Sequence, residues 1–167
     1  LFRVVGFDVN THLITLLKEG INPDTELPDA SIADSSVHFT TDTDQLKACQ
    51  FFIVAVPTPV DEHKVPDLSM LRAATATVAS CLKKGDYVIY ESTVYPGCTE
   101  EICLPILEEM SGLQVNTDFK LGYSPERINP GDELHTLRNV IKIVSGSDKE
   151  SLEEISQIYS SVVEAGV

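Results

Sequence analysis

The chain has 167 residues, with 12 Lys+Arg against 26 Asp+Glu and a formal net charge of −14. That balance excludes the basic surface a nucleic-acid binder needs to displace counterions from phosphate, and it opposes docking on an anionic membrane face. No apolar run approaches the ~20 residues needed to span a bilayer. The hydrophobic content of 43% is that of a globular protein, and a chain of this length buries roughly 70% of its unfolded surface.

Taken in chain order, strands and helices alternate. Phe2–Asp8 reads as an apolar strand ending in an acid. Residue 1 is Leu and sits inside this strand pattern, with no charged region leading into an apolar signal core. The sequence is therefore expected to be a fragment whose start lies upstream. Thr11–Glu19 is helical, with Leu13, Leu16 and Leu17 on one face and Gly20 as its stop. The polar stretch Asn22–Ser36 predicts a loop, Val37–Thr41 a short strand, and Asp42–Ala48 a short helix opened by capping side chains.

The continuous apolar run Phe51–Val56 predicts a strand covered on both faces, as in parallel sheets. After the loop Pro57–Pro66, Asp67 is the expected cap of a helix that buries Leu68, Leu71, Thr75, Val78, Ala79 and Leu82 and stops at Gly85. Tyr87–Glu91 is the next strand. Thr99–Met110 is helical, with Pro105 kinking or splitting it. Phe119–Tyr123 and Val140–Val144 read as further strands. Asp148 caps a last helix with Leu152, Ile155, Ile158, Tyr159 and Val162 on one face. Six strands alternating with helices predict an α/β fold with a doubly wound, mostly parallel sheet, in which ligands bind off the carboxyl ends of the strands.

Cys49, Cys81, Cys98 and Cys103 form no C-x-x-C pair and read as small hydrophobes in a reducing, cytoplasmic setting. His12, His38, His63 and His135 show no metal-ligand spacing, so no metal is expected. The informative residues are those where strands run into proline-containing loops: Val56-Pro57-Thr58-Pro59, Ser92-Thr93-Val94-Tyr95-Pro96-Gly97 and Ser124-Pro125-Glu126-Arg127-Ile128-Asn129-Pro130-Gly131. In a parallel sheet these loops share one rim, and proline lowers the cost of ordering them. Asp8 ends the first strand, where an acid in a dinucleotide-binding βαβ unit accepts hydrogen bonds from ribose hydroxyls about 20 residues after a glycine-rich loop. That loop, G-x-G-x-x-G, is not in these residues. On position alone Asp8 reads equally as a solvated acid or a helix cap.

These three loop motifs, in this order, resemble the amino-terminal part of the UDP-glucose/GDP-mannose dehydrogenase family. The P-E-R-x-x-P-G version is similar to the branch acting on UDP-N-acetylhexosamines, in capsule and O-antigen pathways. The resemblance covers essentially the whole chain. It implies a Rossmann-like NAD-binding domain over residues 1–167 that lacks its first strand and glycine-rich loop. A connecting helix and a UDP-sugar domain would lie beyond. It implies NAD-dependent oxidation of the C6 alcohol of a UDP-N-acetylhexosamine to the uronic acid by two hydride transfers. A cysteine, carried by relatives beyond the stretch matched here, captures the intermediate aldehyde. A homodimer is implied for the full-length form.

Carried over by position, Asp8 would bind the adenosine ribose and disfavour the 2′-phosphate of NADP. Thr58 would lie near the cofactor phosphates. Thr93 would sit near the nicotinamide and the reacting centre. Glu126 would position or activate the hydrolytic water, and Arg127 and Ile128 would touch the substrate. Leu13 stands where relatives often have a basic residue. Read without the resemblance, Thr58 and Thr93 are turn residues bonding local backbone, and Glu126-Arg127 is an exposed ion pair. Two rival functions are a non-catalytic nucleotide-binding or dimerisation module and a hydroxy-acid dehydrogenase. On its own, this stretch is expected to lack dehydrogenase activity.

Overall fold

The computed structural model describes residues 2–23, 32–127 and 140–167. It contains two compact units, Leu1–Cys49 and Gln50–Val167.

In the first unit, β1 (Val5–Phe7) pairs in parallel with β2 (His38–Thr40), with Gly6 opposite Phe39. The expected strand over Phe2–Asp8 is thus shorter, and Phe2 and Val4 are exposed. Helix α1 (Thr11–Lys18) is capped by Asn10, whose side-chain carbonyl accepts the His12 and Leu13 N–H groups at 3.1 Å. Asn10 takes the role that the sequence had left open for Asp8, and satisfies two of the orphan donors at the helix start. Ile14 is the buried residue of α1, with Leu13, Leu16 and Leu17 half-buried beside it. The short helix after β2 is 3₁₀ (Thr43–Ala48), opened by Asp42 accepting the Asp44 N–H at 2.9 Å and burying Leu46.

In the second unit, four strands form one sheet in the order β3 (Phe51–Val54), β4 (Tyr87–Tyr90), β5 (Lys120–Tyr123), β6 (Ser145–Gly146). The first three are parallel and in register, Phe51 opposite Tyr87 opposite Lys120; β6 runs antiparallel to β5. Helices α2 (Ser69–Cys81), α3 (Leu104–Ser111) and α4 (Lys149–Ser160) complete the unit. Alternating residues of β4 face opposite cores. Ile89 packs with Ile155 and Tyr159 of α4, while the Tyr90 hydroxyl meets Thr75 of α2 at 2.9 Å. This is the double coverage that continuous apolar strands predict. It does not extend fully to β3, where Ile53 stays exposed and Phe51 instead stacks on Tyr87 at 4.4 Å.

Some details at the ends of elements depart from the sequence expectation, while the expected split at Pro105 is present. Asp67 accepts the Ser69 N–H at 2.8 Å, one residue ahead of the Leu68 cap position, and Cys81 rather than Leu82 is buried at the end of α2. A π-helical turn (Thr99–Cys103) precedes α3, so Pro105 falls in the first turn of a new α segment, where its missing N–H costs nothing. The expected strand over Val140–Val144 is displaced to Ser145–Gly146. The backbone of 141–143 is bonded elsewhere: the Lys142 N–H to the Gly166 carbonyl at 3.0 Å, the Ile143 carbonyl to Ser124 Oγ at 2.9 Å, and the Ile141 carbonyl to the Arg127 guanidinium. With those groups taken, no ladder forms there.

Candidate functional site

The loops that leave the carboxyl ends of β3 and β4 are joined by side-chain to backbone hydrogen bonds, and the loop after β5 starts from a backbone bond to β4. Ser92 Oγ donates to the Val56 carbonyl at 2.7 Å, and Thr58 Oγ1 donates to the Thr93 carbonyl at 2.5 Å. The Glu91 N–H reaches the Val54 carbonyl at 2.8 Å, and the Ser124 N–H the Tyr90 carbonyl at 2.9 Å. The three proline loops therefore do form one rim, as far as Arg127. The Thr58 hydroxyl does not bond the local backbone of its own turn, as the turn reading expects; it reaches across 35 residues and anchors the backbone of Thr93, whose side chain is exposed.

Glu126 follows Ser124-Pro125 on this rim. Its Oε1 accepts the Arg127 N–H at 2.7 Å and its Oε2 lies 3.4 Å from Lys142 Nζ. The Arg127 guanidinium donates to the Ile141 carbonyl, so it braces the segment before β6. Ile128 lies outside the described residues. Lys142 also lies 3.4 Å from Glu91, and Glu91 in turn accepts a hydrogen bond from the Tyr159 hydroxyl. Burial, and then the bond to Glu91, push the Tyr159 hydroxyl up, which keeps it protonated and donating. Neither Glu91 nor Lys142 was singled out from sequence. The available signal was Lys142 itself, a lone charge inside the apolar run Val140–Val144, which requires a partner if that run is buried.

Asp8 belongs to the first unit. Its Oδ1 accepts the Asn10 N–H at 2.7 Å, and its own N–H bonds to the Thr40 carbonyl at 3.3 Å. The carboxylate is thereby oriented at the end of β1, and a carboxylate that accepts one such bond keeps further lone pairs for a pair of vicinal hydroxyls. This donor and acceptor chemistry fits the ribose of a dinucleotide.

The remaining polar candidates are placed less suggestively. His63 is exposed beside Glu62 at 3.6 Å. Among the described residues no group of three His, Cys, Asp or Glu side chains is arranged to hold a metal ion. Cys81, Cys98 and Cys103 are buried. Burial pushes the Cys98 thiol up, and that of Cys103 to about 11, so neither supplies a thiolate nucleophile.

Comparison with known proteins places this geometry. The NAD-binding domain of the UDP-glucose/GDP-mannose dehydrogenase family matches residues 1–163. The chain is 48% identical over 165 residues to the UDP-N-acetyl-D-glucosamine 6-dehydrogenase of Salmonella typhi, covering 98% of this chain and 39% of that protein. It is 50% identical over 164 residues to the enzyme of the same name from Pseudomonas aeruginosa, again covering 98% and 39%. Among solved structures, the UDP-D-ManNAc dehydrogenase of Pyrococcus horikoshii superposes with a TM-score of 0.89 at 30% identity, over 99% of this chain and 40% of that one. The chain spans about two fifths of the length of these relatives. Its fold is the Rossmann-like one of these dehydrogenases. The chain belongs to the UDP-glucose/GDP-mannose dehydrogenase family, through that family's NAD-binding domain.

Proposed function

We propose that the protein carrying this chain oxidises the C6 alcohol of a UDP-N-acetylhexosamine to the uronic acid with NAD, in two hydride transfers, for polysaccharide biosynthesis. The observation that carries this reading is the 48% identity, across 98% of the chain, to a UDP-N-acetyl-D-glucosamine 6-dehydrogenase. The rim geometry supports it. Residues 1–167 supply the cofactor side of the site, and the second half of the substrate site belongs to sequence outside them. A cytoplasmic homodimer accords with this reading. No helix among the described residues is long and apolar enough to cross a membrane.

NAD, when bound, supplies the hydride acceptor. The chain's own residues hold and orient. Asp8 accepts the ribose hydroxyls, and its negative charge disfavours a 2′-phosphate. Thr58 fixes the Thr93 backbone and lies on the cofactor side of the rim. The exposed Thr93 hydroxyl donates to the oxygen on which negative charge develops. Glu126 accepts a hydrogen bond from the attacking water and draws off its proton. Contact with the sugar nucleotide is assigned to Arg127 and Ile128 on the family resemblance alone.

In the full-length enzyme, Thr93→Ala and Glu126→Gln are each expected to lower kcat by about a hundredfold or more, measured as UDP-sugar-dependent NADH formation. The thermal midpoint of Thr93→Ala stays near wild type, because that side chain is exposed. Wild-type turnover in both variants would remove Thr93 and Glu126 from the mechanism. A panel of UDP-GlcNAc, UDP-GalNAc and UDP-ManNAc assigns the sugar.

A further inference from the structure

The least expected group on this rim is Lys142. It is 5% exposed, and a buried ammonium is costly unless its charge is matched. Four stretches of chain converge on it: Glu91 at the end of β4, Glu126 in the loop after β5, Tyr159 in α4, and the Lys142 backbone, tied to Gly166. The ammonium lies 3.4 Å from each carboxylate and 5.5 Å from the centre of the Tyr159 ring. Equal distances longer than a tight charge-assisted bond describe a cation shared between two acids.

The two acids are not equivalent. The Glu91 side chain is 17% exposed and takes the Tyr159 hydroxyl as a donor; the Glu126 side chain is 40% exposed and opens on the rim. Glu91 therefore anchors the ammonium from within, and Glu126 presents the other end of the same electrostatic link to a ligand. We propose that Lys142 is the positioning residue for Glu126: it holds that carboxylate ionised and aimed into the rim, while Glu91 and Tyr159 hold Lys142. The inference rests on the reading of Glu126 given above and extends it.

The sign of the effect follows from the charges. Among the described residues, the charged or titratable groups around Glu126 are Lys142, Glu91, Tyr159 and the neighbouring Arg127, whose guanidinium is turned to the Ile141 carbonyl. Removing the lysine charge takes away the cation that Glu91 and Glu126 share, which disfavours the ionised form of both carboxylates. Removing the Glu91 charge does the reverse, because Lys142 is then no longer shared.

The test uses the full-length enzyme and the pH profile of kcat, whose acid limb reports the base in the substrate complex. Lys142→Gln is expected to move that limb up by about 1 to 2 pH units and to lower kcat at neutral pH, with KM for the UDP-sugar little changed. Lys142→Arg keeps the charge and restores most of the activity. Glu91→Gln, which still accepts the Tyr159 hydroxyl, is expected to move the limb down. A purely structural role for Lys142 gives no such pair of opposite shifts. If Lys142→Gln does not fold, the Glu91→Gln profile decides on the same criterion. An unmoved acid limb in the folded variants, alongside an impaired Glu126→Gln enzyme, overturns the proposal and leaves the role of Glu126 standing. Wild-type turnover in Glu126→Gln overturns both.

Discussion

At the scale of single residues, polar side chains in this protein act in pairs that fasten one element to another. Asp148 illustrates this. It opens α4 through a reciprocal cap: its Oδ1 accepts the Ser151 N–H at 2.8 Å while Ser151 Oγ accepts the Asp148 N–H at 2.9 Å. Its other oxygen receives Lys120 of β5 at 2.6 Å. The Lys120 bond first, then the Ser151 N–H, hold the Asp148 carboxyl down at about 2 against an ordinary 3.8. The stabilisation is therefore fully present above the ordinary value and is lost as pH falls from there through about 2. In the full-length protein, Asp148→Asn keeps the cap and loses the charge, so its thermal midpoint falls below wild type at neutral pH and converges with it in acid. Asp148→Ala also loses the cap, a further cost of about 1 kcal/mol. Parallel curves at all pH values would show that the ion pair contributes nothing. The Asp148 cap was legible in sequence because capping is local. The Lys120 pairing was not, since 28 residues separate the partners.

At the scale of elements, α4 shows how far periodicity reaches. Its expected apolar face included Leu152 and Val162, yet both are exposed. The buried stripe is Ser151, Ile155 and Tyr159, four residues apart. A small residue leads this stripe because β6 comes very close: a Cβ on Gly146 would lie 2.4 Å from the Leu152 nitrogen and 2.5 Å from Ser151 Oγ. Backbone cannot yield as a flexible side-chain tip does. Gly146→Ala is thus expected to destabilise by about 1–3 kcal/mol, read as a lowered thermal midpoint. An unchanged midpoint would mean that α4 shifts freely along the sheet. Since Tyr159 lies on the same helix, the variant should also weaken the Glu91–Lys142 link and lower kcat in parallel.

At the scale of the whole molecule, the proposed function divides the chemistry between this chain and sequence outside it. The thiol capture that the family resemblance implies needs a thiolate, and the buried Cys98 and Cys103 are pushed away from that form by burial. On the proposed reading, these 167 residues alone are expected to give no UDP-sugar-dependent NADH; measurable turnover by the isolated chain would refute this division. The net charge of −14 has a related consequence. NAD and UDP-sugars are themselves anions, so on the proposed reading their binding would depend on local donors such as Thr93, Arg127 and backbone N–H groups rather than on the overall field.

What the sequence alone determined is whatever depends on neighbours in the chain. Strand and helix alternation, the caps at Asp42 and Asp148, the breaks at Gly20 and Pro105, and the three proline loops all follow from local stereochemistry and short-range hydrogen bonding. Strand order and rim position then put Thr93 and Glu126 among the candidates. Only the tertiary structure decided that Arg127 braces Ile141, that residues 140–144 give up their strand, and that a buried lysine joins Glu91 to Glu126. Those outcomes depend on which distant groups burial leaves in need of a partner, and that need arises only once the sheet and its helices have closed around them.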